Sequence, residues 1–273
     1  MTRPMTAVAL VMALCASACA RETASESEAE TTGAAQGSEA AAQPQAEDGA
    51  QPGAAIIAQA PDSAWRTVNP EDLLRIETRH GDIWVELAPE FAPNHVAQVK
   101  ALARQGWYDG TVWHRVIDGF MAQGGVRFDD PQAEPEGVQR LAAEFTVSRG
   151  AEMEISELMD KRVPSRAARW QAGFWNGFQV MTQPIAQAAI RADGQVESFI
   201  AHCPGAAAAA RTSDPNSAMF QFYITRDEAE HLNAQYTAWG EVRVGQDVVN
   251  SIKTGTLGQD MAGVPDLISS VRV

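Results

Sequence analysis

One segment of the sequence combines groups that could bind and act on an apolar ligand. It reads Trp113-His114-Arg115-Val116-Ile117-Asp118-Gly119-Phe120-Met121-Ala122-Gln123-Gly124-Gly125. This pattern is typical of a strand that ends in a turn. Such a turn would bring close together a guanidinium, two large apolar side chains and an amide, from Arg115, Phe120, Met121 and Gln123.

A second segment is a polar turn that leads into an aromatic strand, Ala210-Arg211-Thr212-Ser213-Asp214-Pro215-Asn216-Ser217-Ala218-Met219-Phe220-Gln221-Phe222-Tyr223-Ile224. Together the two segments would suit an apolar prolyl ring beside a positively charged donor. Composition alone favours another interpretation, in which Phe120 and Met121 are core residues and Arg115 forms a surface ion pair. The residue types by themselves leave both interpretations open.

Other kinds of site have little support in the sequence. The five histidines have no metal-ligand spacing, and there is neither a Gly-rich phosphate loop nor a G-x-S-x-G elbow. The formal net charge of -14 argues against nucleic acid as a partner, because phosphate binding requires an excess of Lys and Arg. Metal, nucleotide and serine-hydrolase chemistry are therefore not indicated.

The two segments resemble the signatures of the cyclophilin family. The first is similar to F-H-R-V-I-x-G-F-M-x-Q-G-G, with Trp113 in place of the usual Phe, and the second to M-A-R-T-x-D-x-x-S-A-x-S-Q-F-F-I. With shorter matches around them, they extend the resemblance over nearly all of residues 66–273 apart from the middle. It implies a mainly β fold, an eight-stranded antiparallel barrel capped by two helices. It also implies peptidyl-prolyl cis/trans isomerase activity on proline-containing polypeptides, without a cofactor or metal.

The resemblance also implies roles for individual residues. The catalytic set is Arg115, Phe120 and Gln123. The implied substrate-binding residues are His114, Met121, Ala210, Arg211, Tyr223, His231, Leu232 and Tyr236. His231 and Tyr236 depart from the family, in which Trp or Phe and His are common at these positions, so the groove is expected to be shallower or more polar.

The elements that must position these groups are mostly strands. Apolar and polar residues alternate on either side of His80-Gly81-Asp82, which predicts a β-hairpin over 73–78 and 82–87. Helices are predicted from Pro93-Asn94 to near Gly106 and over 246–253. Further strands are predicted at 111–116, 220–225, 237–243 and 268–273.

The middle of the domain, about 150–203, is longer than the family's usual connection. Residues 154–160, 166–178 and 184–192 suggest short helices, so this insertion is expected to be largely helical. Its aromatic residues, Trp170, Phe174, Trp175 and Phe178, have approximate helical spacing. They are expected to pack onto the barrel, and the alternative is an exposed site for a client.

The first 62 residues differ in composition from the domain. Residues 1–19 have the plan of a secretory signal, and Ala16-Ser17-Ala18-Cys19 resembles a lipobox, which makes Cys19 the expected lipid attachment site. Ordinary signal-peptidase cleavage after Ala18 is the alternative. Residues 20–62 are expected to be a disordered, acidic Ala/Glu/Gln-rich linker.

These features predict an exported, periplasmic monomer that meets a bacterial membrane only through its lipid. The outer membrane is favoured over the inner, because Ala20 stands where Asp would suggest retention. Two functions remain at this point. One is an isomerase that depends on Arg115 and assists the folding of exported proteins. The other is a non-catalytic peptide-binding module or chaperone that uses the groove or the aromatic insertion, and it would depend on Trp170 and Trp175 and not on Arg115.

Overall fold

A hairpin of the predicted kind begins the folded region. The computed structural model describes residues 59–157 and 169–273. β1 (Leu73–Thr78) and β2 (Gly81–Leu87) pair antiparallel along their length. Gly81 closes the turn with a φ of 132°, a backbone conformation that residues with a Cβ rarely adopt. The predicted hairpin is confirmed.

Strands dominate the rest of the described chain. After β1 and β2 they are β3 (Thr111–Ile117), β4 (Met121–Arg127), β5 (Val147–Arg149), β6 (Ser156–Glu157), β7 (Gln171–Trp175), β8 (Phe178–Thr182), β9 (Val196–Ile200), β10 (Ala206–Ala209), β11 (Phe222–Thr225), β12 (Ala238–Val244), β13 (Gly255–Thr256) and β14 (Ile268–Arg272). They form two antiparallel sheets, one of nine strands and one of five.

The nine-stranded sheet curls back on itself. Its order is β13-β3-β4-β11-β10-β12-β2-β1-β14. The β3 and β14 sides meet, because the backbone N–H groups of Gly110 and Trp113 donate to the carbonyls of Ile268 at 2.8 Å and Asp266 at 2.9 Å. The predicted class, a mainly β antiparallel barrel, is confirmed, and β13 is a short additional strand.

In the described part of the chain two α-helices accompany the barrel, α1 (Pro93–Arg104) and α2 (Gln246–Ser251), as predicted. The carboxylate of Glu144 accepts hydrogen bonds from the backbone N–H groups of Asn94 and His95, both at 3.1 Å. A negative charge there complements the positive end of the helix dipole. No helix in residues 59–157 and 169–273 is long and apolar enough to cross a membrane.

The middle of the chain is built from strands, so the prediction of a largely helical insertion is wrong for its described part. Of the helix expected over 166–178, residues 166–168 lie outside the described residues, and Gln171–Trp175 and Phe178 instead belong to the hairpin of β7 and β8. Its turn is Asn176-Gly177, with φ of 46° and 78°. Asn-Gly favours the tight turn whose twist matches a hairpin. A six-residue 3-10 helix, Ile185–Ile190, replaces the helix predicted over 184–192.

The five-stranded sheet, in the order β5-β9-β8-β7-β6, packs on the barrel through an apolar cluster. Phe178 and Val180 of β8 and Ile200 of β9 are buried in this cluster with barrel residues. The ring of Trp175 meets that of Phe91 edge-on, with 5.5 Å between centroids. Trp175 and Phe178 thus pack onto the barrel as expected, but from a hairpin.

Buried charges reinforce the same interface. Arg243 of β12 donates through Nε to Glu86 at 2.8 Å and through Nη1 to the carbonyl of Gly177 at 2.8 Å. Glu241 accepts from the backbone N–H of Gln179 at 3.0 Å. Burial raises the pKa of Glu241, and the charge of Arg243 acts in the opposite direction. The guanidinium therefore joins carboxylates of the barrel to the β7–β8 turn.

Replacing Arg243 should destabilise the protein strongly. Arg243→Ala would leave the buried carboxylate of Glu241 without its cation, so the free energy of unfolding in urea should fall by about 3–5 kcal/mol. Arg272→Ala is the matched control, because the Arg272 side chain is 56% exposed and that of Arg243 is 6% exposed. The control should lose less than about 1 kcal/mol. Equal losses would contradict a structural role for the buried network.

Candidate active site

The pairing of β3 with β4 brings together the first candidate groups. Arg115 lies opposite Gln123, and its Nη1 is 3.4 Å from Gln123 Oε1 and 3.8 Å from Met121 Sδ. Gln123 Nε2 in turn donates to Gln221 Oε1 at 3.1 Å. These contacts form a polar row from the guanidinium across β4 to the chain before β11.

Arg115 has no carboxylate within ion-pair distance among the described residues. Its side chain is half-buried and keeps only neutral partners there, the sulfur of Met121 and the amide of Gln123. The interpretation of Arg115 as a surface ion pair is therefore not supported in this part of the chain. The guanidinium retains donors for an additional acceptor.

A β-bulge determines the direction of the Arg115 side chain. Trp113 pairs with Gly124 and Arg115 with Gln123, so β3 advances two residues where β4 advances one. His114 is the extra residue of this bulge, and it shifts Arg115 off the face occupied by Trp113. Trp113 is fully buried in the core, while Arg115 is half-buried beside Gln123.

His114 occupies the bulge as a half-buried side chain. Burial lowers its pKa, a hydrogen bond with the backbone of Val112 raises it, and the neighbouring charge of Arg115 lowers it further. The imidazole is therefore neutral at neutral pH. Its backbone carbonyl accepts from Leu257 at 2.8 Å, which supports the bulge from outside.

An apolar wall stands beside the guanidinium. Met121, Tyr223 and Leu232 are buried in one cluster, against which Phe120 and Tyr236 are packed half-buried. The structure thus brings together side chains for which the family resemblance implies catalytic or substrate-binding roles. They come from the β3–β4 turn, from β11 and from the turn around residue 232, which are distant in sequence.

His231 lies on the rim of this wall and is exposed. Its ring is tilted against that of Phe120, with 5.3 Å between centroids. The other departure from the family, Tyr236, meets the ring of Tyr223 edge-on at 5.9 Å. Both substituted side chains therefore contact the apolar wall.

The remaining predicted residues, Ala210 and Arg211, line a cavity of about 240 Å³ next to Gln123. The guanidinium carbon of Arg211 lies 4.2 Å from the ring centroid of Tyr236, and its Nη2 donates to the carbonyl of Gln235 at 2.9 Å. These two contacts hold the Arg211 side chain against the wall of the groove. Cys19, the predicted lipid site, lies outside the described residues.

Two residues near the wall were missed by the sequence interpretation, Gln221 and His202. His202 is 2% exposed, and its Nε2 lies 3.0 Å from the hydroxyl of Tyr223. Desolvation lowers the pKa of His202 to about 4; a hydrogen bond with Asn233 opposes this shift, and the charge of His231 adds to it. The sequence signals only that a tyrosine in a buried strand needs some partner for its hydroxyl, and it does not identify His202 as that partner.

Within residues 59–157 and 169–273 no group of three or more His, Cys, Asp or Glu side chains is placed to hold a metal ion.

Two aromatic residues of the insertion pack against other rings of the protein. Trp170 meets Phe199 edge-on at 4.8 Å, and Trp175 packs on Phe91. No observation therefore favours a separate client site built on Trp170 and Trp175.

Comparisons with known proteins agree with this geometry. Residues 73–273 match the family model described as cyclophilin type peptidyl-prolyl cis-trans isomerase/CLD. A probable peptidyl-prolyl cis-trans isomerase of Brucella suis biovar 1 (strain 1330) is 35% identical over 195 residues, which cover 71% of this chain and 78% of that protein. Peptidyl-prolyl cis-trans isomerase B of Escherichia coli (strain K12) is 28% identical over 214 residues, 74% of this chain and 99% of that protein.

A solved structure is also similar. The crystal structure of cyclophilin AquaCyp293 from Hirschia baltica superposes with a TM-score of 0.69 at 38% sequence identity. The match covers 76% of this chain and 75% of that chain. Both the sequence and the fold therefore point to the same family.

The buried histidines predict how stability depends on pH. Since the pKa of His202 is about 4 in the folded chain and 6.5 in the reference state, its contribution is complete above pH 6.5 and is lost as the pH falls toward 4. Urea unfolding should show a loss of about 3 kcal/mol from His202 over this range. His114 and His95, whose pKa values are also lowered, add to it in the same direction. His202→Leu should flatten the dependence, and an unchanged slope would contradict the assignment.

Proposed function

The chain belongs to the cyclophilin family of peptidyl-prolyl cis/trans isomerases, and from that premise we propose that it isomerises X-Pro bonds of exported proteins in the groove between Arg115 and the apolar wall. One observation carries the assignment of the groove. The guanidinium of Arg115 contacts the sulfur of Met121, against whose apolar cluster Phe120 packs, and has no carboxylate partner in the described residues.

The reaction requires no nucleophile, because the barrier of about 18–20 kcal/mol arises from the double-bond character of the peptide C–N bond. As the bond twists, the lone pair localises on the prolyl nitrogen. A hydrogen bond from Arg115 to that nitrogen would stabilise the twisted state more than either planar state, which is the condition for acceleration.

The apolar wall would bind the prolyl ring, and the polar row would position the guanidinium. Phe120, Met121 and Leu232 would hold the prolyl ring by apolar contact while the preceding carbonyl rotates. Gln123 accepts from Arg115 and donates to Gln221, so it fixes the guanidinium at the edge of the wall. Pre-positioned donors avoid the cost of reorganisation during the reaction.

The N-terminal sequence supports a location outside the cytoplasm. We propose that residues 1–19 direct export, that Cys19 receives a lipid, and that residues 20–62 tether the domain to a membrane of the periplasm, the outer one by preference. Between Arg21 and Asp62 the sequence has eight acidic residues and one basic residue, with no aromatic residue. Such a composition suits a solvated spacer.

Arg115→Ala should abolish most of the activity. In an X-Pro peptide assay with the full chain, loss of one donor to the transition state should lower kcat/KM by about 100-fold or more. Refolding of a protein limited by proline isomerisation should slow in parallel, since that step otherwise takes tens of seconds.

Arg104→Ala is the control for this measurement, because Arg104, the last residue of α1, pairs with Glu71 and its side chain is 53% exposed. Its kcat/KM should stay within about twofold of wild type. If Arg115→Ala retained activity at the level of the control, Arg115 would not be the catalytic residue and the groove assignment would be lost.

Lipid attachment is tested by labelling with a radioactive fatty acid in a Gram-negative host. The full chain and Cys15→Ala should incorporate the label and sediment with membranes, whereas Cys19→Ala should do neither. The two variants differ only in which leader cysteine is removed. Label retained by Cys19→Ala, or an unlabelled and soluble wild type, would contradict the proposed anchor.

A further inference from the structure

A buried hydrogen-bonded chain lies directly behind the apolar wall. It consists of the Tyr223 hydroxyl, the His202 imidazole and the Asn233 amide. His202 Nε2 is 3.0 Å from the Tyr223 hydroxyl, and His202 Nδ1 is 3.2 Å from Asn233 Oδ1. Tyr223 is 4% exposed and His202 is 2% exposed, so solvent does not replace these partners.

The direction of the two hydrogen bonds follows from the backbone. The N–H of His202 donates to Asn233 Oδ1 at 2.8 Å, which identifies that atom as the amide oxygen. An amide oxygen can only accept, so His202 Nδ1 must carry the proton that it shares with Asn233. The neutral ring then has a bare Nε2, and Tyr223 donates its hydroxyl proton to it. Burial, which lowers the pKa of His202 to about 4, keeps the ring neutral.

The hydrogen bonds of Tyr223, His202 and Asn233 link two separate parts of the wall. Tyr223 lies on β11 opposite Gln123 and packs in the cluster with Met121. Asn233 directly follows Leu232 in the turn that also presents His231. His202 stands between these parts, two residues after the end of β9.

We propose that His202 is a positioning residue of the isomerase, which holds the hydroxyl of Tyr223 away from the proline pocket and fixes the Leu232 turn against β11. The pocket then presents the tyrosine ring without its polar atom. Substrates with an unsubstituted, apolar prolyl ring are the class that such a pocket favours. This inference rests on the proposed groove, but its first test needs no activity.

The first test is the protonation state of His202 in the full chain. Long-range proton–nitrogen spectra at neutral pH should show a proton on Nδ1 and none on Nε2, with Nε2 accepting a hydrogen bond. Tyr223→Phe should shift the Nε2 resonance and leave the proton on Nδ1. A proton on Nε2, or an Nε2 signal unaffected by Tyr223→Phe, would overturn the proposal without bearing on the isomerase activity.

The second test is a double-mutant cycle in peptide isomerisation. His202→Leu leaves the buried hydroxyl without an acceptor, so KM should rise by about fivefold to tenfold while kcat stays within about twofold, since Arg115 is untouched. In a Tyr223→Phe background, whatever its own KM, His202→Leu should change KM no further. A KM increase of equal size in both backgrounds, or no increase in either, would overturn the proposal.

His95→Leu is the matched control. His95 is 3% exposed and is also a hydrogen-bonded histidine, but its partner is Glu144 at the start of α1. This variant should lose stability and keep KM within about twofold of wild type. If it raised KM as His202→Leu does, the effect would be general destabilisation and positioning by His202 would be excluded. Failure of Arg115→Ala to lose activity would instead count against the groove itself.

Discussion

The β-bulge at His114 is the constraint on which the rest of the site depends. In a regular strand Trp113 and Arg115 would share a face, so either an indole would leave the core or a guanidinium would enter it. The extra residue separates them, because Trp113 pairs with Gly124 and Arg115 with Gln123. A Cβ at residue 124 would lie 3.0 Å from the Trp113 ring, so a glycine there accommodates the buried indole. One strand thus fills the barrel and supplies the groove.

The five-stranded sheet extends this arrangement behind the groove. Its apolar face, with Phe178 and Ile200, belongs to the same cluster as Met121 of the wall. The guanidinium of Arg243, which is paired with Glu86 of the barrel, donates to the carbonyl of Gly177 and so holds the β7–β8 turn on the barrel. The last strand of the sheet leads directly to His202. The insertion is therefore part of the structure that shapes the pocket, and a change in its packing would reach the wall through directly contacting side chains.

The barrel could be predicted from the sequence, because hairpin alternation and the family resemblance of two long motifs both indicate it. The residues to which that resemblance assigns roles, Arg115 and the side chains of the wall, lie together in the structure, and their roles stay predictions. The prediction of helices in the insertion was wrong because the spacing of Trp170, Phe174 and Trp175 also fits a helix. The Asn-Gly turn before Phe178 determines the hairpin instead. His202 could not be found from local pattern, since its partner Tyr223 lies 21 residues away and the contact exists only in the fold.

Polar side chains at the wall form contacts within the protein that their residue types alone do not reveal. The hydroxyl of Tyr223 is engaged by His202, and Tyr236 packs beneath the guanidinium of Arg211. His231 keeps its ring against Phe120, so an aromatic contact of about 0.5–1.5 kcal/mol can be retained at this position. These contacts place aromatic rings at the wall and give the hydroxyl of Tyr223 and the guanidinium of Arg211 partners within the protein. Since a polar group that is already hydrogen-bonded has less need of a further partner, side-chain type alone does not determine how polar such a wall is.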